Sequence, residues 1–578
     1  MRRRDFLKTT AGVTALGAWS AVGVRAREST ASADPDALVR ELVRANDEHV
    51  ARLLPRQERR ASHRRVGGLP DEHGICTAGG AAGFVSALAC ASCAPGSGFL
   101  HSTALVEPLQ LAVRFLLEVQ HDDGTIDLHT TNFHSPPDTA FVLDVLCPAC
   151  TVLQRDAWPP LAAVVADLRR FAVRAGAALG SGGVHTPNHR WVVCAALARL
   201  NALSPAPDYV ARIDQWLAEA VDIDPDGQFT EKSTAVYSPV VDRALLTVAR
   251  LLDRPALREP VRRNLEMTLF YVHPDGEVVT EASRRQDRYQ RGSLARYYYA
   301  YRALALLDGN GRFAAMARQI EQAERPRLTG ELPAFLEEPG LQQPLPAGAP
   351  LPTDYVRVFS HSGLARIRRG HVSATILADN SSLFSLRKGT AALEAVRLAS
   401  AFFGKGQFVG DRLEVRGGRF ILRQALDGPY YQPFSAEQIA AGVAVRMAPN
   451  GTLAADSRAV RARSNVQTLD SVVEITEADG AFELDVAVGG TDEVPVVVEL
   501  AFRHGGRLHG VEAVPGLQDA FLLKEGTGRY TLGADTITFG AGRAEHTWTQ
   551  LRGALPKWDG QSVYLTGFTP FHLRLAIG

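Results

Sequence analysis

Two polar stretches of the chain carry side chains that could do chemistry. In the first, residues 186–191, the amide of Asn188 and the imidazole of His189 stand directly before an apolar segment, residues 192–200. In the second, residues 226–239, Glu231 and Tyr237 stand ahead of another apolar segment. An amide can neutralise a carboxylate, a neutral imidazole can remove a proton, and a phenol can protonate a leaving oxygen. Together these groups fit β-elimination on a uronic acid.

The reaction assigns a role to each group. The C5 proton of a uronic acid is barely acidic, so the adjacent carboxylate must be neutralised before a base can remove that proton. Asn188 can donate to the carboxylate, His189 can act as the base with an ordinary pKa of about 6.5, and Tyr237 can protonate O4. Neither a metal ion nor another cofactor is required. The alternative explanation is structural, with Asn188 capping a helix and His189 as a polar residue of its first turn.

Further polar and aromatic residues could contact the sugar. We predict these as substrate-binding residues: Glu231, Asn132, His134, Arg284, Arg285, Tyr289, Trp191 and Arg387. Arginine can hold a carboxylate through two parallel hydrogen bonds. Structural explanations remain open for them too, namely loop hydrogen bonding, a solvated basic face or, for the tryptophan, core packing.

Motifs of several common enzyme classes are missing from the sequence. It has no G-x-x-x-x-G-K-[ST] phosphate loop, no G-x-S-x-G elbow and no H-E-x-x-H zinc motif. Nucleotide chemistry and the commonest serine-hydrolase arrangement are therefore disfavoured. Two other functions stay open. One is a glycoside hydrolase, which would use two carboxylates among Asp123, Asp138 and Glu231. The other is a protein that binds acidic glycans without cleaving them.

The elements that must position these residues are helices. Apolar residues with helical spacing run from about residue 34 to 324, and Asp-Gly turns recur between them at residues 123–127, 225–233 and 274–283. The last two copies share the pattern T-E-x-S at a spacing of 50 residues. Such a period fits one helical hairpin and its connection, so residues 27–325 are predicted to form an α/α toroid. The loops of a toroid gather at one rim, which would bring His189 and Tyr237 together.

The pattern changes in the second half of the chain. Residues 326–352 are rich in proline, glycine and leucine and have the composition of a linker. Beyond them, hydrophobic residues alternate with a period of two, as in residues 472–477 and 481–486, which flank the turn Asp479-Gly480. Residues 353–578 are therefore predicted to be an antiparallel β-sandwich, and the fold class is multidomain, α then β.

Composition and the N-terminus bear on location and partners. The 578 residues include 63 basic and 63 acidic side chains, a balance that argues against a nucleic-acid partner. Arg2, Arg3 and Arg4 precede a mild apolar stretch, so residues 1–26 are predicted to be a twin-arginine signal peptide. The mature chain would then be periplasmic or secreted. We expect it to have no membrane span and an acidic glycan as its substrate.

Two C-x-x-C pairs leave the state of the cysteines open. They are Cys90 with Cys93 and Cys147 with Cys150. Four thiolates could hold a structural zinc ion, although the separation of the pairs exceeds that of a compact zinc ribbon. Disulfides, which an oxidising compartment permits, and buried free thiols are the alternatives.

The two polar stretches also resemble a known family. An Asn-His pair followed by D-G-x-F-x-E-x-S-x-x-x-Y, here residues 226–237, is similar to heparinase II/III-like and related alginate-lyase-like polysaccharide lyases. The resemblance implies an α/α toroid followed by an antiparallel β-sandwich. It also implies that Asn188 binds the uronate carboxylate, that His189 is the base, and that Tyr237 is the acid or both acid and base. Relatives often carry a further histidine in the sandwich, but residues 382–407 contain none.

Overall fold

The computed structural model describes residues 35–578. The predicted signal peptide, residues 1–26, lies outside the described residues. The helices of the N-terminal half are α1 Pro35–Leu53, α2 Ala78–Cys93, α3 Val106–Val119, α4 Pro136–Asp156, α5 Ala162–Ser181, α6 Pro187–Leu203, α7 Pro207–Leu217, α8 Tyr237–Leu251, α9 Arg258–Thr268, α10 Tyr298–Asp308, α11 Gly311–Ala323 and α12 Leu332–Glu337. A short hairpin, β1 Ile126–Leu128 and β2 Asn132–Ser135, precedes α4.

The helices form two layers because their apolar residues are distributed differently. Helices α2, α4, α6 and α8 pack side by side as an inner layer, followed by α10, and each is succeeded in the chain by an outer helix that packs on it. The inner helix α6 is buried nearly all round, as expected of a helix without a polar face. The outer helix α7 buries only Tyr209 and Ile213. This arrangement confirms the predicted toroid of helical hairpins.

The Asp-Gly repeat forms the same turn at every copy. The first residue of each turn is His121, Asp224 or His273. Its backbone N–H donates to the carbonyl oxygen of the residue four positions later, and its own carbonyl oxygen accepts from the backbone N–H of the glycine. A fourth copy, missed in the sequence, starts at Asp71. The glycines have positive φ, and at Gly124 a Cβ would lie 2.1 Å from the carbonyl oxygen of Arg174. The turns precede α2, α4, α8 and α10, so they share one rim of the inner layer.

The segment predicted as a linker is largely packed against the helices. Residues 325–331 form a 3₁₀ helix, and α12 follows at once with Leu332 and Phe335 buried. This short helix contacts α1, α2 and α4, so the chain returns to the first helices before it enters the sandwich. Leucine side chains between the prolines are buried and hold the segment to the helices. The proline and glycine content had suggested an exposed linker.

The C-terminal half is a sandwich of two sheets. Its strands are β3 Asp354–Phe359, β4 Leu364–Arg369, β5 Val372–Leu377, β6 Phe384–Lys388, β7 Ala391–Ser400, β8 Leu413–Arg416, β9 Arg419–Tyr431, β10 Arg463–Ala478, β11 Ala481–Gly490, β12 Pro495–Phe502, β13 Arg507–His509, β14 Glu512–Ala513, β15 Ala520–Leu522, β16 Thr527–Leu532, β17 Asp535–Gly540, β18 Gln561–Phe568 and β19 Phe571–Ile577. Two short helices, α13 Ala436–Ala440 and α14 Ala455–Ala459, interrupt them.

The sheets have eight and nine strands, in the orders β13-β16-β17-β19-β11-β10-β9-β8 and β14-β15-β18-β12-β7-β6-β5-β4-β3. Neighbouring strands are antiparallel except β15 and β18. The predicted hairpin around Asp479-Gly480 is confirmed, with Ala478 opposite Ala481 in the register of β10 and β11. A single apolar cluster fills the space between the sheets. The predicted antiparallel sandwich is therefore confirmed.

The nine-stranded sheet turns its other face to the helical half. Alternation along β5 places Ala374 and Ile376 in the sandwich core and Ser373 on the opposite face, where its hydroxyl lies 2.9 Å from Nδ1 of His273. The fully buried Arg366 of β4 donates to the backbone carbonyl of Phe270 at 3.1 Å. These contacts fix the sandwich against the loop between α9 and α10.

The expectation that no segment after the signal peptide is apolar enough to cross a membrane is wrong for one helix, α4. By length and composition α4 meets that criterion, but 67% of the window concerned is buried within the fold. It lies in the inner layer between α2 and α6, which accounts for its apolar composition.

The six cysteines are free thiols. Burial raises the pKa of Cys90 and Cys147 far above the ordinary range, so both are neutral packing groups. Among the described residues, no three His, Cys, Asp or Glu side chains are grouped so as to hold a metal ion. The structure thus shows free thiols and no disulfide among the described residues, and a zinc ion at the two C-x-x-C pairs stays a prediction.

Candidate active site

The candidate site lies at the rim where the inner helices begin. Asn188 and His189 occupy the first turn of α6, after Thr186 at the N-cap position and Pro187. Tyr237 is the first residue of α8, and Asp138 stands in the first turn of α4. Helix N-termini carry partial positive charge and unpaired N–H groups, so this rim favours an anionic ligand.

A chain of contacts joins the predicted catalytic residues. Asn188 is buried and donates from Nδ2 to Oε2 of Glu231 at 2.8 Å. The other carboxylate oxygen of Glu231 lies 3.3 Å from Nε of Arg285, whose guanidinium sits 4.9 Å from the centre of the Tyr237 ring. Residues from two helix starts and two loops thus form one cluster. Burial raises the pKa of Glu231, although Asn188 and Arg285 act in the opposite direction.

His189 stays neutral in this environment. Burial lowers its pKa to about 4, with smaller contributions in the same direction from His185 and Arg285, whereas Asp138 opposes the shift. The ring is packed edge-on against Phe141 and His185. Its Nδ1 is buried without a hydrogen-bond partner. Such an imidazole is available to accept a proton but is a weaker base than a solvated one.

Tyr237 is held from two sides. Gln286 donates from Nε2 to its hydroxyl oxygen at 2.8 Å, while Arg285 covers the ring. The hydrogen bond fixes the direction of the hydroxyl, and the cation fixes the plane of the ring. Tyr237 therefore presents an oriented hydroxyl at the cluster.

Asp287, which the sequence did not single out, ties the loops of the cluster together. Its Oδ1 accepts from the hydroxyls of Ser233 at 3.0 Å and Ser283 at 2.5 Å, and its Oδ2 accepts from the backbone of Ala235 at 3.2 Å. The two serines are the last residues of the two T-E-x-S copies. Ser233 also accepts from the backbone N–H of Tyr237 at 3.1 Å. The repeat thus converges on one buried carboxylate beneath the cluster.

Replacing that carboxylate should loosen both loops. We expect Asp287→Asn to lower the free energy of unfolding by about 2 kcal/mol, because an amide offers one acceptor oxygen where the carboxylate offers two. Turnover should fall with little change in KM, since Tyr237 and Arg285 would be misplaced while the cleft remains. Urea unfolding and steady-state kinetics would measure the two effects. Asp308→Asn, which breaks an exposed pair with Arg262, is the matched control and should change neither.

One predicted substrate-binding residue requires correction. Trp191 is completely buried and donates from Nε1 to Asp222 at 2.9 Å, so it packs the core and cannot stack on a sugar. An indole can stack on a sugar, but the residue type carries no information about burial. Arg387 lies on the face of the sheet that covers the helical half, is about as buried as His189, and has no partner for Nε and Nη1 within the described chain. Its role in substrate binding stays a prediction.

The remaining predicted residues lie around the cluster, and they differ in whether their contacts reach it. Asn132 donates to Asp138 at 2.8 Å, which links the β1–β2 hairpin to the start of α4. His134 instead pairs with Asp123 on the exposed side of that hairpin, outside the contacts of the cluster. Tyr289 donates its hydroxyl to Asn380 of the sandwich at 2.6 Å, and Arg284 reaches toward Asp379.

Comparisons with known proteins give a fold relationship. No protein-family model and no curated protein sequence matches the chain. Among solved structures, the chondroitin AC lyase of Streptomyces coelicolor A3, in complex with chondroitin sulphate, superposes with a TM-score of 0.54 at 15% identity, over 96% of this chain and 80% of that one. A Paenibacillus xanthan lyase gives 0.57 at 9% identity, over 94% of this chain and 57% of that one. Heparinase III gives 0.51 at 12% identity, over 86% and 75%.

The chain has the polysaccharide-lyase fold. The family resemblance predicted from the two short motifs is thereby confirmed at the level of architecture. At these identities the match concerns the fold alone, and the roles of individual residues must be argued from the geometry of the site itself.

Proposed function

We propose that the protein is a lyase that cleaves a uronic-acid-containing polysaccharide or oligosaccharide by β-elimination and leaves a 4,5-unsaturated uronate on the product. The observation that carries the proposal is the contact chain Asn188–Glu231–Arg285–Tyr237, with neutral His189 beside it at the helix N-termini. The complex of the Streptomyces lyase with chondroitin sulphate supports an acidic glycan as the class of substrate.

Binding would begin with the uronate carboxylate. The amide hydrogens of Asn188 point to Glu231 and, at 3.1 Å, to the hydroxyl of Thr186. A substrate carboxylate can replace the threonine as acceptor while Glu231 keeps the amide oriented. Arg285, whose Nε pairs with Glu231 at 3.3 Å, adds positive charge on the same side. Both groups would stabilise the negative charge that develops on the carboxylate as the C5 proton leaves.

Proton transfer would then use Tyr237. Once Tyr237 has released its own proton to solvent, its phenolate, oriented by Gln286 and beside Arg285, can remove the C5 proton and return that proton to O4 as the glycosidic bond breaks. His189 can instead take the C5 proton at Nδ1 and leave Tyr237 as the acid. We favour the first route, because burial lowers the pKa of His189 and makes it a weak base.

The pH dependence of the reaction tests whether His189 is neutral or protonated. Because its pKa is about 4, His189 should remain neutral as pH falls through the range where a free histidine becomes protonated, about 6.5. We expect kcat/KM to show no loss attributable to histidine protonation between about pH 5 and 7. Profiles of the native protein and of His189→Gln would test this. An acidic limb near pH 6.5 that disappears in the variant would contradict it.

The decisive experiment for the function is an assay of product chemistry. Purified protein should be mixed with a panel of acidic glycans, and the ultraviolet absorbance of unsaturated uronate followed together with product masses. Elimination gives a chromophore and adds no water. Products heavier by one water without a chromophore would favour the glycoside hydrolase, and intact glycan that remains bound would favour the binding protein.

Two pKa shifts assign roles within the hydrolase alternative. Hydrogen bonds from Thr125 and His134 lower the pKa of Asp123, so it is unsuited to be a general acid, whereas burial raises the pKa of Glu231, which could serve as one. Export through the predicted signal peptide, residues 1–26, remains part of the proposal, because an extracellular glycan is a substrate that an exported enzyme meets.

A further inference from the structure

A polar cleft opens beside the candidate site, where the two halves of the chain meet. Lys232, Arg284 and Arg288 line it from the helical half, and Ser362, Asp379 and Asn380 line it from the sandwich. Its volume is about 210 Å³, below the range of sites that enclose a whole small ligand but enough for a single oxyanion group. Lys232 follows Glu231 directly, and the backbone N–H of Arg284 donates to the carbonyl of Glu231 at 3.0 Å. The cleft and the catalytic cluster therefore share a wall.

Two cations of this cleft lack a carboxylate as a hydrogen-bond partner. Arg284 lies 3.4 Å from Asp379, a carboxylate that is 71% exposed. Asp224 and Asp226 also carry negative charge near Lys232, but they accept hydrogen bonds from Ser362 and from the backbone of the sandwich. In the part of the chain that the structure describes, Lys232 donates to a carbonyl and Nε of Arg288 has no acceptor.

Lys232 has donors left for a ligand. Its Nζ donates to the carbonyl oxygen of Ser362 at 2.8 Å, and an ammonium group carries three hydrogens. Burial, the largest cause, and the nearby Arg284 lower its pKa, whereas Asp379, Asp224 and Asp226 oppose the shift. Its backbone has a φ of +50°, a conformation rare for non-glycine residues that tends to persist at functional sites. Nε of Arg288 is also buried without an acceptor.

We propose that this interdomain cleft binds a second acidic group of the glycan, a sulfate ester or carboxylate on a sugar adjoining the uronate that is cleaved. The inference rests on the proposed function for its substrate and adds the requirement that the glycan carry another oxyanion within reach. Lys232 would donate directly to that oxyanion, and Arg288 would complete its coordination. Asn380, held by Tyr289 and by the carbonyl of Glu281, fixes the sandwich side of the cleft.

Lysine scarcity permits a test that does not depend on catalysis. The sequence contains the following lysines: Lys8, Lys232, Lys388, Lys405, Lys524 and Lys557. The full chain would be treated with trace acetic anhydride, and acetylation at Lys232 and Lys405 would be compared by peptide mass analysis. The probes are chondroitin sulphate oligosaccharides and the same oligosaccharides after desulfation. Lys405, on the sandwich beside Asp427, serves as the internal control.

We expect the sulfated oligosaccharides to protect Lys232 severalfold and to leave Lys405 unchanged. Protection lost on desulfation identifies sulfate as the ligand, and equal protection by both probes identifies a carboxylate. If neither probe protects Lys232, the cleft is not an anion site and the inference is overturned. If unsaturated uronate is still produced in that case, the proposed function is unaffected. If Lys232 is protected but no unsaturated uronate forms with any glycan, the proposed lyase function is wrong and the anion site remains.

Kinetics supply the second measurement. On whichever form of the glycan protects Lys232, we expect Lys232→Met to lower kcat/KM about 10- to 100-fold, the usual effect of losing a hydrogen bond to a charged group. The loss should lie mainly in KM, since the residue does not take part in proton transfer. Lys405→Met is the matched control and should retain full activity. Equal rates for Lys232→Met and the native protein would contradict the inference.

Discussion

Tyr237→Phe should abolish glycan cleavage while leaving the fold intact. The substitution removes one oxygen, the group proposed to transfer protons to and from the sugar, and general acid–base catalysis contributes about 10²- to 10⁴-fold in rate. The ring would keep its place under Arg285, so binding of the acidic glycan should survive. The measurement is the initial rate of unsaturated-uronate formation, with KM or direct binding determined in parallel.

The control for this variant is another tyrosine that loses a hydroxyl. Tyr355 donates its hydroxyl to the carbonyl of Phe270 at 2.9 Å, at the junction of the two halves and outside the contact chain. Tyr355→Phe should keep its activity and lose about 1 kcal/mol of stability. Retention of more than a tenth of native activity by Tyr237→Phe would exclude the phenol as the proton carrier. Gln286→Leu should give an intermediate loss, because Tyr237 would lose the donor that orients it.

Asn188→Asp is expected to be nearly as damaging, for an electrostatic reason. The new carboxylate would face Glu231 across the present 2.8 Å contact and would repel the uronate in place of donating to it. Removal of a single preorganised donor to developing negative charge costs about 10²- to 10³-fold in turnover, and the added charge should increase the loss. Rates on the preferred glycan would measure it.

The same variant should acquire a pH-dependent stability. Two carboxylates in contact share a proton, so the pKa of one is raised above its value in the unfolded chain. Stability is then fully present below the unfolded pKa of about 4 and is lost as pH rises through the raised folded pKa. Melting temperatures at pH 5 and pH 8 should therefore diverge more for Asn188→Asp than for the native protein.

A second asparagine on the same helix provides the control. Asn201, near the end of α6, accepts from the backbone of Ala206 through its Oδ1, and aspartate can accept equally well there. Asn201→Asp should leave both activity and pH dependence unchanged. If Asn188→Asp cleaved glycan at the native rate, the assigned role of Asn188 in binding the uronate carboxylate would be wrong.

The sequence by itself determined the order of the domains and the identity of several residues in the cluster. Helical spacing up to about residue 324 and alternation from residue 353 define a toroid and a sandwich, because periodicity records which faces of each element are buried. The Asp-Gly turns and the apolar runs after them mark the starts of inner helices. Asn188 and Tyr237 are identifiable in the sequence because they stand at the starts of apolar runs, and Glu231 because it follows an Asp-Gly turn.

Tertiary structure decided which charged side chains meet. Arg285 covers Tyr237, whereas its neighbour Arg284 lines the cleft. The sequence cannot show which way the side chains of two adjacent loop residues point. The repeated T-E-x-S pattern was visible, but the convergence of Ser233 and Ser283 on Asp287 depends on how two loops pack. The cleft around Lys232 exists because the sandwich lies against the rim, and contacts between segments more than 100 residues apart leave no local pattern in the chain.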